Sequence, residues 1–397
     1  MVTLPDAEWR DRAGLDRLAE VLGAGEGMAR FVGGAVRDAL LGIPVADLDV
    51  ATRHAPATVI DLLRRAGIKA VPTGIDHGTV TAVIESGPVE VTTLRRDVST
   101  DGRRATVAFT DDWREDAARR DFTINALYAD PATGEVFDYF GGLADLEARR
   151  IRFIGDPLQR IAEDHLRILR FFRFLARFGD APDAAGLEAC AARANDLMAL
   201  SRERIRDELL KLLAARDAVR VVRLMLDRGI LKPVLPEIVS ADRLEALASR
   251  EDAAGITPAP LRRLVALLPA EAVEEVGARL KLSNAERKRI VSAAQPAGDR
   301  GVYELAYRLG TEGAVDRLLL SDRPVEEVCT AAAWSPPALP ITGGALVARG
   351  LRRGPEVARV LREIENRWIA EDFPDAARVD VIAEEAVAQA LRSASSA

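Results

Sequence analysis

Between Phe31 and Val50 the chain reads Phe-Val-Gly-Gly-Ala-Val-Arg-Asp-Ala-Leu-Leu-Gly-Ile-Pro-Val-Ala-Asp-Leu-Asp-Val, and no other segment constrains the fold as tightly. An apolar start at Phe31-Val32 runs into Gly33-Gly34. A helical stretch over 34–42 follows, with Arg37 one turn in, and Asp47-Leu48-Asp49 then stands inside a second apolar segment. Residues i and i+2 of a strand share a face, so the two carboxylates are expected side by side. Such a pair is poorly tolerated in ionised form without a cation between its members, and hard divalent cations such as Mg²⁺ take oxygen ligands. The Gly-Gly turn lets backbone N–H groups approach an anion, and a helix N-terminus adds a favourable dipole. Taken singly, a Gly-Gly pair is a turn and an Asp-x-Asp a strand end. In strand–turn–helix–strand order they predict an anion cradle beside a carboxylate pair, as phosphoryl or nucleotidyl transfer requires.

Around this unit, residues 1–150 mix strand and helix signals. A hairpin is expected from Thr79–Ile84, a turn at Gly87-Pro88, and Val89–Thr93. The polar, charge-rich stretch from Arg95 to Ala118 reads as a long functional loop. After about 150 the strand signals nearly vanish. Apolar spacings of three to four predict helices over 157–178, 201–228, 242–252, 259–281, 284–295 and 355–371. Proline-rich breaks near 233–236, 257–260 and 336–340 are candidate joints. At 397 residues the chain is too long for one core. The pattern predicts an α+β protein: a small mixed sheet with helices, then an all-helical remainder.

No run of about 18 uncharged apolar residues is present, so no membrane helix is expected. Asp6, Glu8 and Asp11 near the start argue against a signal peptide. Cys190 and Cys329 lie far apart without His or Cys neighbours, which disfavours a disulfide framework or zinc site and fits a reducing cytoplasm. The net charge of −7 argues against nucleic-acid binding only weakly, because recognition depends on local basic surface.

Two further segments carry chemistry. In Glu115–Ala126 two arginines stand beside Asp121, just before it, and Asn125 follows. Paired arginines suit a triphosphate, and an amide can bind a ribose hydroxyl. In Glu163–Arg173 a helix would gather Ile168, Leu169, Phe172 and Leu175 on one side, with His165 among them as a core histidine. Asp164, Arg167, Arg170 and Arg173 would wind across the other side. As an isolated helix this is a solvated face with i,i+3 pairing. Asp, however, only accepts hydrogen bonds and Arg only donates them. An Asp–Arg pair on a base edge therefore fits an exocyclic amine beside a ring acceptor, the pattern of cytosine and adenine. Such a template accepts CTP and ATP and refuses UTP and GTP. His54 and His77 read as structural.

The chain resembles the class II tRNA nucleotidyltransferases, the family of CCA-adding enzymes and bacterial poly(A) polymerases. The matching segments are Gly33–Asp38, Asp47-Leu-Asp49, Val89–Arg95, Arg119–Ala126, Asp138–Gly142 and Glu163–Arg167, in the family's order. Weaker likeness continues through Ser201–Ile205 and Glu208–Lys211, and from Pro340 to Phe373. The resemblance implies a nucleotidyltransferase head over 1–150, a helical neck with a nucleotide-selecting helix over 151–235, a helical body over 236–335, and a tRNA-binding tail over 336–397. It implies that Asp47 and Asp49 hold two Mg²⁺ ions, with Glu90 as a third, supporting carboxylate. Gly34, Arg37 and Arg120 would bind the triphosphate and Asn125 would lie near the ribose. Asp164 and Arg167 would read the base, with Arg170 and Arg173 lining the same pocket. The implied reaction is template-independent addition of C, C and A to the 3′ end of tRNA from CTP and ATP, releasing pyrophosphate by two-metal logic. A full-length stretch over 97–118 and the segment Thr73–Thr81 favour this over poly(A) polymerase or A-only addition, the alternatives within the family.

Overall fold

The computed structural model describes residues 2–101 and 104–395, and the chain divides into two compact units. The first contains the chain up to Ala241 together with Ala278–Leu282; the second contains Asp242–Gly277 and the chain from Ser283 onward.

In the first unit, helix α1 (Leu15–Val21) precedes β1 (Ala29–Val32), α2 (Gly34–Leu40) and β2 (Asp49–Thr52). The strand–turn–helix–strand expectation is met, with one shift: β2 begins at Asp49, so Asp47 sits in the loop before it. Helix α2 closes with the N–H of Gly42 on the carbonyl of Ala39 and that of Ile43 on Asp38. Gly42, at a φ of 66°, makes this left-handed ending inexpensive. Next come α3 (Pro56–Arg65), β3 (Lys69–Gly74), β4 (Thr79–Ile84) and β5 (Gly87–Thr93). The predicted hairpin is present, but Ile84 pairs with Gly87, so the turn is Glu85-Ser86 and not Gly87-Pro88.

The predicted loop over 95–118 is instead a second hairpin, β6 (Arg95–Asp101) and β7 (Arg104–Phe109), followed by helix α4 (Trp113–Ala118). The two strands form a sheet of their own. A 3₁₀ turn (Thr123–Asn125) leads to β8 (Leu127–Ala129), β9 (Val136–Asp138) and α5 (Gly142–Glu147). The main sheet has seven strands in the order β3-β4-β5-β2-β1-β8-β9. Within this sheet, among the described residues, only β2 and β5 pair in parallel, and their register sets Asp49 beside Glu90.

The predicted helix over 157–178 is two helices, α6 (Pro157–Glu163) and α7 (Leu166–Phe178), because Asp164 adopts an extended conformation. Ile168, Leu169, Phe171, Phe172 and Leu175 are buried along α7. His165 stands at the start of α7, half-buried, with Nδ1 3.6 Å from Asp196; it is not part of the apolar face. Helices α8 (Ala184–Ala192), α9 (Arg202–Leu213) and α10 (Ala218–Asp227) complete this unit, α9 and α10 replacing the single predicted helix over 201–228.

After Ala241 the chain is helical: α11 (Asp242–Ala254), α12 (Pro260–Leu267), α13 (Val273–Arg279), α14 (Asn284–Ala293), α15 (Val302–Leu319), α16 (Val325–Ala333), α17 (Gly343–Ala348), α18 (Pro355–Ala370) and α19 (Ala376–Ser395). The predicted helix over 259–281 is interrupted by Pro269 and a short 3₁₀ turn. A core around Leu346, Val360, Ile364, Trp368, Ile382 and Val387 holds the last three helices together. Cys190 is buried and Cys329 exposed, both as free thiols.

Candidate active site

A cavity of about 600 Å³ in the first unit gathers the predicted residues. Gly33, Gly34, Arg37, Asp47, Asp49, Arg120, Asn125, Asp164, Arg167, Arg170 and Arg173 all line it. Seven arginines face five aspartates around its wall, leaving a net positive basin suited to a polyanion. Glu90 is outside this lining and exposed, although its strand register keeps it next to Asp49.

The glycine turn works by close approach. Gly33 has a φ of 69°, and a Cβ there would come within 3.2 Å of Arg120 Nη1. Helix α2 has only seven residues, so most of the positive potential comes from guanidinium groups and not from its dipole. Arg37 is buried on α2. It donates to Asp38 Oδ1 through Nε at 2.8 Å and Nη2 at 2.7 Å, and to Asn125 Oδ1 through Nη1 at 2.5 Å. Asn125 in turn donates from Nδ2 to Asp121 Oδ1 at 3.0 Å. Each end of the Asn125 amide thus holds one protein partner, and a further lone pair on Oδ1 and a further N–H on Nδ2 remain for a ribose hydroxyl.

Arg120 bonds to Tyr128 at 3.2 Å and to Asp116 at 3.2 Å. Asp121 is buried and accepts from Arg170 Nε at 2.7 Å. Burial opposes its charge, but Arg170 and the hydrogen bonds of Asn125, Arg170 and its own loop outweigh it and hold the carboxyl below its ordinary value.

Asp49 shows the opposite balance. Burial pushes its pKa up, Glu90 and Asp47 push it further, and Arg120 opposes them. This is the electrostatic condition that a divalent cation relieves, and two carboxylates are the oxygen donors such a cation takes. The donor set therefore fits a metal at Asp47 and Asp49. Among the described residues no three His, Cys, Asp or Glu side chains converge on one metal position.

The predicted Asp164–Arg167 pair lies in the cavity wall, but each side chain has a partner elsewhere. The break between α6 and α7 turns Asp164 so that Oδ1 accepts from the N–H of Leu166 at 3.0 Å and Oδ2 from Arg204 Nη2 at 2.7 Å. Arg167 is held by Glu163 and by the carbonyls of Arg160 and Arg119. Arg173 donates to Glu208 at 2.6 Å and packs over the ring of Phe174 at 4.2 Å. Arg204 and Glu208 escaped the sequence reading as site residues. Both come from α9 and stand four apart, so that one helix face reaches two cavity residues. Asp38, Arg119, Phe174 and Arg177, also in the wall, carried no isolated signal beyond their neighbours.

Known proteins share this scaffold. Residues 29–152 match the model of the poly A polymerase head domain. Residues 183–242 match that of the probable RNA and SrmB-binding site of polymerase A. The mitochondrial CCA tRNA nucleotidyltransferase 1 of Mus musculus is 34% identical, the match covering 89% of this chain and 86% of that protein. The CCA-adding enzyme of Levilactobacillus brevis is 32% identical, with 87% and 91% covered. Among solved structures, the Bacillus stearothermophilus CCA-adding enzyme in complex with CTP superimposes with a TM-score of 0.72 at 27% identity, over 90% of this chain and 93% of that one. A basin of arginines beside two carboxylates, on a scaffold matched along nearly its whole length, leads to one family: the chain belongs to the class II tRNA nucleotidyltransferases.

Proposed function

We propose that this protein adds C, C and A in turn to the 3′ end of tRNA, taking CTP and ATP and releasing pyrophosphate. The observation that carries the reading is the convergence of three kinds of group on one cavity: Asp47 and Asp49, the arginines Arg37 and Arg120, and the Asp164–Arg167 pair. In this reading Gly34, Arg37 and Arg120 hold the triphosphate. Their charge is placed where the departing pyrophosphate gains charge as the tRNA 3′-hydroxyl attacks the α-phosphate in line. Asn125 offers the remaining donor and acceptor capacity of its amide to the ribose. Asp164 accepts from the exocyclic amine of cytosine or adenine and Arg167 donates to the adjacent ring nitrogen, with Arg170 and Arg173 beside them. Mg²⁺ at Asp47 and Asp49 would supply Lewis-acid stabilisation at the reacting phosphate; Glu90 is assigned a supporting role through its charge on Asp49.

The head of this reading spans 1–150 and the nucleotide-selecting neck 151–235, with body (236–335) and tail (336–397) on the tRNA. The two free thiols suit a reducing cytoplasm, and among the described residues no helix is long and apolar enough to cross a membrane.

Incorporation should be measured with Mg²⁺ on tRNAs ending in the discriminator base, in C and in CC, with CTP and ATP offered singly and together. Addition that stops at CCA on all three supports the proposal. Long A tails reassign the chain to poly(A) synthesis, extension of the CC-ended tRNA alone to A-only addition, and no incorporation overturns the reading.

A further inference from the structure

One carboxylate behind the cavity wall is the meeting point of four donors. Asp116, on α4, is 1% exposed and does not line the cavity. Its Oδ1 accepts from Arg119 Nε at 2.9 Å and from the backbone N–H of Arg95 at 3.2 Å. Its Oδ2 accepts from the Tyr128 hydroxyl at 2.6 Å and from Arg120 Nη2 at 3.2 Å. Tyr128 is itself fully buried and its oxygen receives Arg120 Nε at 3.2 Å, so carboxylate and phenol together occupy two sides of one guanidinium. Burial opposes ionisation of Asp116, yet Arg120, Arg119 and Tyr128 hold it down at about 2. It is a fixed negative charge at any working pH.

From this arrangement we propose that Asp116, with Tyr128, is a positioning residue for the nucleotide cradle, acting through Arg119 and Arg120 without touching the nucleotide. The proposal rests on the reading of Arg120 as a triphosphate ligand. Two guanidinium groups on adjacent residues repel each other and, unrestrained, splay toward solvent. A single carboxylate shared between them fixes both while leaving one positive charge uncancelled toward the cavity. Arg120 is further constrained by Gly33, whose missing Cβ leaves room for Nη1. The backbone bond from Arg95 adds a mechanical link, since Arg95 is the first residue of β6 and ties the start of that hairpin to the same carboxylate.

Simple electrostatics and positioning predict opposite signs. Removing a negative charge close to a triphosphate site should tighten anion binding if charge alone matters. If Asp116 acts by placing Arg119 and Arg120, Asp116→Asn should weaken it.

Equilibrium binding of CTP and ATP is to be measured, alongside thermal midpoints, for the wild type, Asp116→Asn, Tyr128→Phe, Arg120→Met and the double variant Asp116→Asn/Arg120→Met. The expected result is about tenfold weaker binding for Asp116→Asn and two- to threefold for Tyr128→Phe. The double variant should bind only slightly more weakly than Arg120→Met alone, through the release of Arg119, and much less weakly than the product of the two single losses, because contacting residues acting largely through one group are not additive. Tyr128→Phe keeps the carboxylate and packs the same ring, so it serves if Asp116→Asn fails to fold. Binding by Asp116→Asn as tight as or tighter than wild type, or losses that multiply in the double variant, would overturn the proposal. Unaltered binding by a folded Tyr128→Phe would remove Tyr128 from it. A wild type that binds nucleotide but does not extend tRNA would end the CCA-adding reading while leaving Asp116 judged by binding. A wild type that binds neither nucleotide would end both.

Discussion

Asp49 carries a cost in the folded protein that its position in the cavity explains. Burial and the neighbouring Glu90 and Asp47 raise its pKa above the ordinary value. For an acid with a raised folded-state pKa, the folded form binds protons more readily than the unfolded one. The penalty is therefore present above the folded pKa and is relieved as pH falls through it toward the unfolded value. Asp49→Asn removes the penalty along with the charge. Its thermal midpoint at neutral pH is expected to equal or exceed that of the wild type, while nucleotide incorporation falls at least about 100-fold, as when a group acting on the reacting charge is lost. A variant that lost activity and stability together would make Asp49 a structural residue. In the wild type, incorporation should decline on acidification at a pH above the ordinary carboxylate range, because the protonated group is a poor cation ligand. A pH–rate profile from about 4 to about 8 at limiting Mg²⁺, where the metal-free group titrates, would check the direction.

At the scale of elements, the cavity depends on helices that do not themselves form its floor. Helix α9 begins at Ser201, whose hydroxyl accepts from the N–H of Arg204, and then presents Arg204 to Asp164 and Glu208 to Arg173. Selection of the base should therefore respond to α9 as well as to α7. Asp164→Ala is expected to raise incorporation of UTP and GTP relative to CTP and ATP by about 10- to 100-fold, as when a site's hydrogen-bonding partner for a substrate amine is lost. Arg204→Met, which frees one oxygen of Asp164, should produce a smaller shift in the same direction. Competition assays on a CC-ended tRNA would rank the two, and unchanged selectivity in Asp164→Ala would remove that residue from base reading. The sequence carried Asp164 and Arg167 as candidates because their short spacing is local. It did not reveal Arg204 and Glu208, since their partners lie about 35 to 40 residues away along the chain. The α6–α7 break was hidden for a related reason: Ile161, Ile168, Phe172 and Leu175 keep one apolar face across it, and only the extended backbone of Asp164 separates the helices. The hairpin over β6 and β7 reads as a loop because the charged residues from Arg95 to Arg104 mask the short alternation of Ala105, Val107 and Phe109.

For the molecule as a whole, local motifs marked the catalytic half and a change of period marked the helical half. The grouping into two units was less legible, because proline breaks look alike whether or not a boundary lies there. The break near 233–236 falls close to the division after Ala241, whereas those near 257–260 and 336–340 lie inside the second unit. That unit is locked by a charged network with no counterpart in its apolar periodicity. Glu251 is 0% exposed and binds Arg262 at 2.6 Å and Arg263 at 2.8 Å. Arg262 continues to Asp316 at 3.0 Å, which is shared with Arg289 at 2.7 Å. Deleting one member leaves the others as buried charges short of a partner, and such losses cost about 3–5 kcal/mol. Every residue in this network belongs to the second unit, while the cavity residues belong to the first. Glu251→Ala should accordingly lower one calorimetric transition by on the order of 10 °C and leave a second transition, and CTP binding, close to wild type. If a single transition moves as a whole and nucleotide binding weakens with it, the two units unfold as one cooperative body, and the division seen in the contacts has no thermodynamic counterpart.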